Sequence, residues 1–174
     1  MPAVLSLITL PNLLLTYAQH LASPLRAPEA DEEPAAAAQP GELDVTPEFL
    51  SSFEALLARE NIELCFFEGD WSGMDAAVRD EDAYDLVLTS ETVYSVPSLA
   101  PLLDLLEAAT GESDDALCLV ACKRIYFGVG GGELEFRRRV EERGGEVETV
   151  WGEGEGKGKS SGVGRTVMNV KWRR

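Results

Sequence analysis

The strongest constraint on the fold is a near-continuous apolar run at residues 84–89, YDLVLT. Such a run is typical of a strand that is covered on both faces, as in a parallel sheet. Further short runs of apolar, β-branched or aromatic residues predict strands at residues 62–67, 116–121, 146–151 and 165–172. The core of the protein is therefore expected to contain a β-sheet.

Helical patterns lie between these predicted strands. Residues 4–21 predict a first helix that Pro11 kinks or delays. Others are predicted from the N-cap Thr46 through Arg59, from near Pro97 to Gly111, and at residues 133–143. Alternation of this kind predicts one α/β domain over residues 1–174, with helices on both faces of its sheet.

Two segments lack the large apolar side chains that a packed element needs. Residues 22–45 are rich in Pro, Ala and acid, and they predict a disordered surface insertion. Residues 152–163 are rich in Gly, Lys and Ser and predict a loop. Both segments are expected to lie outside the folded core.

Composition narrows the possible partners. Fifteen basic residues against thirty-one acidic ones give a formal net charge of −16, which opposes binding to phosphate backbones and anionic membranes and suits a basic partner. No apolar run reaches the roughly 20 residues of a membrane span, so a soluble protein is expected. No metal site is predicted, and His20 is expected at the surface.

The three cysteines lie within predicted strands, so we expect reduced, packed thiols rather than disulfides. Cys118 and Cys122 are four residues apart, about 13 Å along a strand, and cannot pair with each other. A reducing compartment follows from this reading.

Two glycine-rich segments look like phosphate-binding loops but do not match them. Residues 154–160 have the wrong glycine spacing for a P-loop and precede a predicted strand instead of a helix. Residues 128–133 have Glu133 where a dinucleotide fingerprint needs its third glycine. We interpret the second segment as a loop beside a cleft in which the glycines allow positive φ and close backbone approach, or as an irregular turn.

A polar cluster follows the apolar run directly. Residues 89–92, TSET, lie just beyond the carboxyl end of a predicted parallel strand, where open α/β sheets bind ligands. The alternative is that these residues only cap the next helix. Gly69, Asp70 and Trp71 follow another predicted strand, and their amide, carboxylate and indole suit an adenine ring.

Three segments carry a family resemblance: LITLPNLLL at residues 7–15, GDWS at 69–72, and LVLTSETVY at 86–94, which KRIYFGVGGG continues at 123–132. In this order they resemble the histidine protein methyltransferases, the methyltransferase-like eighteen type among the seven-strand methyltransferases. The pair SETxY and YFGVGGG is more specific than a generic cofactor motif. The resemblance covers nearly the whole chain outside the two loops.

The resemblance implies a partial Rossmann-like, seven-strand methyltransferase sheet that lacks its first two strands. In the family those strands carry the glycine-rich cofactor loop and an acidic residue for the ribose. Met1 falls where the family continues into the following helix, so we expect an amino-terminal truncation. The absent strands would lie between residues 62–67 and 84–89, leaving both with unpaired edges.

The implied reaction is methyl transfer from S-adenosyl-L-methionine to a ring nitrogen of a protein histidine. The usual target is a basic large-subunit ribosomal protein, number three, which agrees with the acidic charge of the chain. A monomer in cytoplasm and nucleus is expected, without direct contact to nucleic acid or membrane. Neutral imidazole is already nucleophilic near pH 7, so positioning is expected to do most of the catalytic work.

Site residues follow from the same resemblance. Gly69, Asp70 and Trp71 are expected to line the adenine pocket, and Ser90 the cofactor's wall of the cleft. Glu91 is the predicted catalytic residue, because its carboxylate could accept the imidazole N–H and stabilise the developing positive charge. The predicted substrate-binding residues are Thr92, Tyr94, Tyr126 and Phe127. Plain packing is the alternative for the three aromatic rings.

Two other functions stay open on sequence alone. Loss of the glycine-rich loop favours a catalytically inactive interaction module that keeps the substrate-facing half of the fold. A protein-lysine methyltransferase is the second alternative, since related seven-strand enzymes modify lysines. The SETxY and YFGVGGG segments favour histidine by resemblance.

Overall fold

A computed structural model describes residues 2–22, 42–74, 83–128, 130–152 and 164–172. The chain divides into two compact units, Met1–Glu68 and Gly69–Arg174. We call them the amino-terminal and carboxyl-terminal units. The predictions for most of residues 22–45 and of the loop at 152–163, including the P-loop-like segment, lie outside the described residues.

Helices form the amino-terminal unit. One helical stretch comprises α1 (Pro2–Val4), a π-helical segment (Leu5–Thr9) and α2 (Leu10–Ala22). The N–H of Leu10 donates to the carbonyl of Leu5, five residues back, so a wider turn lies directly before Pro11. Because a proline ring crowds the preceding turn, this wider turn takes the place of the predicted kink.

The second long helix, α3 (Pro47–Arg59), has the predicted bounds. The Thr46 side chain accepts from the N–H of Phe49 at 3.2 Å, and Pro47 occupies the first turn, where a missing N–H costs nothing. The Tyr17 ring of α2 packs 5.2 Å from Phe49 and 5.3 Å from Phe53, measured between ring centroids. Its hydroxyl donates to Ser52 Oγ at 2.9 Å, so one aromatic cluster joins α2 to α3.

The prediction of a strand at residues 62–67 is wrong. These residues have no regular secondary structure, and every one of them is exposed, including Phe66 at 52%. An apolar run becomes a strand only when another backbone pairs with it, and the described residues of this unit contain no second strand.

All strands and helices predicted for the carboxyl-terminal unit are present. In chain order they are β1 (Leu86–Ser90), α4 (Val96–Ala109), β2 (Leu117–Lys123), α5 (Glu133–Glu142), β3 (Glu146–Gly152) and β4 (Arg165–Lys171). The sheet order is β1-β2-β4-β3. β1 and β2 are parallel, whereas β4 runs antiparallel to both β2 and β3.

Both helices of this unit pack on one face of the sheet. Alternate sheet residues there are buried with the leucines of α4 and with Phe136 and Val140 of α5; they are Cys118, Val120, Cys122, Met168 and Val170. Full burial of a Val, Leu, Phe or Met side chain in this core contributes about 1.5–3 kcal/mol. On the other face Leu86, Leu88 and Leu117 are exposed. No described element of this unit covers these leucines. The prediction of helices on both faces is therefore met on one face only, among the described residues of this unit.

The described parts of the chain contain no helix with the length and apolar content of a membrane span. They also contain no group of three or more His, Cys, Asp and Glu side chains placed to hold a metal ion. His20 is exposed in the last turn of α2, as predicted. Cys118 and Cys122 are buried, whereas Cys65 is exposed, contrary to the expectation for that thiol.

Candidate functional site

A cavity of about 450 Å³ lies at the carboxyl ends of β1 and β2. Each strand contributes residues to its walls: Ser90, Glu91, Ala121, Cys122, Lys123, Trp151, Arg165, Thr166 and Val167. The register explains this convergence, since Ser90 pairs with Ala121, Ala121 with Val167, and Val167 with Trp151. Paired residues share a face, so these four side chains form one row across the sheet.

Glu91, the predicted catalytic residue, has an unusual backbone. Its φ is +57°, in the left-handed region that costs an L-residue roughly 1–2 kcal/mol. Its N–H donates to the carbonyl of Ala121 at 2.9 Å, which continues the pairing of β1 with β2 by one residue. The surrounding hydrogen bonds thus hold Glu91 in a conformation that it would otherwise rarely adopt, a feature common at functional sites.

Tyr126 and Lys123 contact the Glu91 carboxylate. The Tyr126 hydroxyl donates to Glu91 Oε2 at 2.9 Å and accepts from the Lys123 N–H at 3.2 Å. The Lys123 ammonium lies 3.7 Å from the same carboxylate oxygen and 5.6 Å from the Tyr126 ring centroid. Burial, together with the adjacent Glu91 carboxylate, raises the pKa of Tyr126 to about 12. The phenol therefore stays protonated at neutral pH and serves as a donor.

The polar cluster after β1 does not cap the next helix. The N-cap of α4 is Ser95, which makes no side-chain capping bond. Thr92 and Thr89 instead share a hydrogen bond between their hydroxyls at 2.7 Å. Thr92, a predicted substrate residue, is thus hydrogen-bonded to a residue of β1. The structure does not support the capping alternative for residues 89–92.

The glycine run beside this loop allows two backbones to approach closely. A Cβ added to Gly131 would lie 2.2 Å from the Tyr94 carbonyl oxygen, and one on Gly132 would lie 2.7 Å from that of Arg124. Gly132, at φ +133°, donates its N–H to the carbonyl of Val93 at 3.1 Å. Since a larger residue would separate the two loops, the conformational interpretation of residues 128–133 is supported, although Val129 lies outside the described residues.

The predicted adenine-pocket residues form a turn at the start of the carboxyl-terminal unit. Gly69 has φ +145°, and the exposed Asp70 carboxylate accepts from the N–H of Ser72 at 2.8 Å. Hydrogen bonds from the Ser72 backbone and side chain lower the pKa of Asp70. Trp71 is half-buried against the cluster that contains Leu105 and Ala109. None of the three lines the cavity that Ser90 and Glu91 share.

The remaining predicted residues differ in their surroundings. The rings of Tyr94 and Tyr126 lie 6.2 Å apart, so Tyr94 neighbours the Glu91 group. Phe127 is 79% exposed. Packing into the core, the alternative for these rings, does not describe Phe127, and the substrate-side role remains a prediction for all of them.

Of the nine residues that line the cavity, sequence reasoning named only Ser90 and Glu91. Lys123, Trp151 and Arg165 are the missed residues with the largest polar or aromatic side chains. A bulge in the pairing of β3 with β4 falls between Thr149 and Trp151, so Trp151 takes the position opposite Val167 that regular pairing would give to Val150. No local sequence pattern predicts such a bulge. Lys123 and Arg165 could have been found, because both stand where a predicted strand meets the ligand-binding edge of the sheet.

Curated relatives decide the family. "Histidine protein methyltransferase 1" of Schizosaccharomyces pombe is 38% identical over 143 residues, a match that covers 80% of this chain and 38% of that protein. The protein of that name in Saccharomyces cerevisiae is 30% identical over 151 residues, covering 81% and 39%. The chain belongs to the histidine protein methyltransferase family. A homologue from Bos taurus is 40% identical over 88 residues, covering 47% of this chain and 23% of its own length.

The chain spans less than two fifths of the length of the two fungal relatives that it matches. No protein-family model matches it. The mixed α/β carboxyl-terminal unit, with its four-stranded sheet, fits a methyltransferase-like fold.

Proposed function

We propose that the chain is part of a protein-histidine N-methyltransferase that uses S-adenosyl-L-methionine and modifies a histidine in a basic, large-subunit ribosomal protein. The observation that carries this proposal is the position of the Glu91 carboxylate, which the Tyr126 hydroxyl holds beside a cavity of about 450 Å³ at the carboxyl ends of β1 and β2. The names of the two fungal relatives supply the reaction. The cofactor and the ribosomal target rest on the family resemblance.

Glu91 has the chemistry that histidine methylation needs. A neutral imidazole has one N–H and one free nitrogen, and a carboxylate that accepts the N–H leaves the other nitrogen free as the nucleophile. As that nitrogen gains a methyl group, the ring becomes positively charged, and the nearby carboxylate stabilises it. Lys123, 3.7 Å from Oε2, offsets part of the carboxylate charge and helps to hold it in place.

The described residues fit one end of the cofactor. S-adenosyl-L-methionine, when bound, supplies an electrophilic methyl group. Asp70 keeps an exposed, ionised carboxylate beside the half-buried indole of Trp71, a pairing of acceptor and flat apolar surface that suits an adenine ring. Ser90 borders the cavity on the β1 side. No described residue matches the glycine-rich loop that would hold the methionine end.

We further propose that the two missing strands of the family fold complete the sheet along the outer edge of β1. That edge has no partner among the described strands, and Leu86 and Leu88 beside it are 52% and 67% exposed. An unpaired edge with exposed leucines is a site for strand addition. The relatives are more than twice as long as this chain, which is consistent with such an extension.

Charge supports the choice of partner. The net charge of −16 favours a basic protein over nucleic acid or an anionic membrane, and a monomer located in cytoplasm and nucleus accords with a ribosomal target. An inactive interaction module is the second candidate, because the unpaired edge of β1 could bind a partner strand without any cofactor. Lysine methylation is the third, and it differs in the atom modified.

The first experiment separates these candidates. Calorimetric titration of S-adenosylhomocysteine is carried out on the 174-residue chain and on a version extended upstream by the missing strands. Binding by the extended version alone supports the proposal, and comparable binding by the short chain contradicts the account of the missing strands. Mass spectrometry of a basic ribosomal substrate then assigns any added methyl group to histidine or lysine. Absence of binding by both versions favours the interaction module.

Substitution of Glu91 tests the catalytic assignment. Glu91→Gln keeps the side-chain size but removes the charge, and we expect histidine methylation to fall about 100-fold or more. The matched control is Glu141→Gln, which changes an exposed glutamate on α5 that does not line the cavity. If the Glu91 variant methylates histidine as fast as the control, the assignment is wrong.

A further inference from the structure

The Glu91 carboxylate has two oxygens in different surroundings. Oε2 accepts from the Tyr126 hydroxyl at 2.9 Å and lies 3.7 Å from the Lys123 ammonium. Oε1 has no hydrogen-bond partner among the described residues. The protein thus holds the carboxylate by one oxygen and leaves the other available to a ligand in the cavity.

Tyr126 links the two loops that follow β1 and β2. Its hydroxyl accepts from the Lys123 N–H at the end of β2 and donates to the Glu91 side chain beyond β1. The direction of the second bond is fixed, because a carboxylate can only accept. With one donor and one acceptor in use, little hydrogen-bonding capacity of the phenol remains for a substrate.

We propose that Tyr126 is a positioning residue that holds the Glu91 carboxylate so that Oε1 accepts the N–H of the substrate imidazole. This inference rests on the proposed function. It assigns Tyr126 a different role from the predicted substrate contact, since its hydroxyl acts through Glu91. Lys123 assists through its backbone N–H, which holds the phenol oxygen, and through its ammonium beside Oε2.

Removal of one hydroxyl tests the proposal. Tyr126→Phe keeps the ring and its contact with Tyr94 but removes the hydrogen bond to Glu91 Oε2. The variant is made in the 174-residue chain or in the version extended upstream, depending on which of them methylates histidine. We expect kcat to fall about 10-fold while KM for the protein substrate stays within about 2-fold. Tyr84→Phe is the control, because Tyr84 is exposed, does not line the cavity, and has no hydrogen-bond partner for its hydroxyl among the described residues. If Tyr126 instead contacted the substrate directly, the Tyr126→Phe variant would have a raised KM and an unchanged kcat. That result would overturn the proposal.

A double-mutant cycle sharpens this test. If Tyr126 acts through Glu91, the loss of its hydroxyl in a Glu91→Gln background changes kcat by less than about 2-fold. Independent effects that multiply would contradict the proposal. The cycle also separates positioning from general damage to the fold, which would lower kcat in both backgrounds.

A measurement that does not depend on catalytic activity distinguishes the positioning role of Tyr126 from the proposed function. Tyr126 has Glu91, Lys123 and Cys122 as its titratable neighbours, and its pKa is raised to about 12. Carbon NMR of labelled tyrosine in the 174-residue chain should show a lower pKa for Tyr126 in the Glu91→Gln variant, because the carboxylate disfavours the phenolate. An unchanged pKa overturns the Tyr126–Glu91 contact. If neither version methylates histidine, the proposed function fails, and this titration still decides the contact.

Discussion

Two apolar runs of similar length have opposite environments in this molecule. Residues 62–67 of the amino-terminal unit are all exposed and form no strand, whereas β2 lies in the sheet of the carboxyl-terminal unit between β1 and β4. Both runs contain cysteine and large apolar side chains. The difference shows that hydrophobicity makes a run able to form a strand, while pairing with other backbones makes it one.

Thiol reactivity is the largest expected difference between the two runs. Cys65 is exposed, while Cys118 is 0% and Cys122 2% exposed. We expect an aromatic disulfide reagent to label Cys65 more than about 10³-fold faster than either buried thiol, because labelling in β2 requires the sheet to open. Mass spectrometry of the labelled peptides over time measures the three rates. Strong protection of Cys65 would mean that residues 62–67 are paired in solution.

Core truncation is the next effect in size. Phe136 of α5 is 0% exposed, and Phe136→Ala is expected to lower the free energy of unfolding by about 3–5 kcal/mol. Phe66→Ala removes an aromatic ring of the same size that is 52% exposed, and we expect less than about 0.5 kcal/mol. Urea unfolding followed by circular dichroism compares the two variants.

Tryptophan fluorescence adds a local reading to this comparison. All three tryptophans, Trp71, Trp151 and Trp172, lie in the carboxyl-terminal unit, so their emission reports on that unit alone. The Phe136 variant should shift the fluorescence midpoint and the Phe66 variant should not. Equal shifts would show that residues 62–67 contribute to a common core.

The sequence predicted the carboxyl-terminal unit well because its signals are local. The apolar run of β2, the leucine stripe of α4 and the glycines after α5 each identify an element without reference to the rest of the chain. Residues 62–67 show the limit of this reasoning. Their pattern is also local, but a strand depends on a partner that the pattern cannot contain.

The candidate site was predictable in position but not in detail. A polar cluster at the end of a predicted parallel strand indicated Ser90 and Glu91, and both border the cavity. The left-handed backbone of Glu91, its bond to Tyr126 35 residues away and the bulge before Trp151 depend on non-local packing. Such features come from tertiary contacts, which short-range periodicity does not encode.

Alkaline pH should destabilise the carboxyl-terminal unit through its buried thiols. Burial, with smaller effects of Glu133 and Glu91, raises the pKa of Cys122 from about 9 to about 11. The unfolded state therefore loses this proton at lower pH, so the stabilisation is complete below pH 9 and is lost as the pH rises from 9 through 11.

Two alanine variants test this pH dependence. Cys122→Ala should flatten the fall in unfolding free energy between about pH 9 and pH 10.5. Cys65→Ala is the matched control, because it removes an exposed thiol. Urea titrations at intervals of half a pH unit provide the slopes. The same slope in the Cys122 variant and the wild type would assign the alkaline loss to other groups, such as Cys118 or Tyr126, whose pKa values are also raised by burial.

Helix capping gives the smallest difference between the two units. Thr46 accepts the N–H of Phe49 at 3.2 Å, whereas Ser95, the N-cap of α4, makes no side-chain capping bond. Thr46→Ala should therefore cost about 1 kcal/mol and speed amide hydrogen exchange at Phe49, while Ser95→Ala should cost less than about 0.5 kcal/mol. Hydrogen exchange followed by NMR measures both helices in one sample. α3 lies in the unit without a described sheet, so we expect its first turn to depend strongly on this cap. α4 packs on the sheet of the other unit, so we expect it to depend less on its N-cap. Equal exchange at Phe49 in the variant and the wild type would show that other contacts hold that turn.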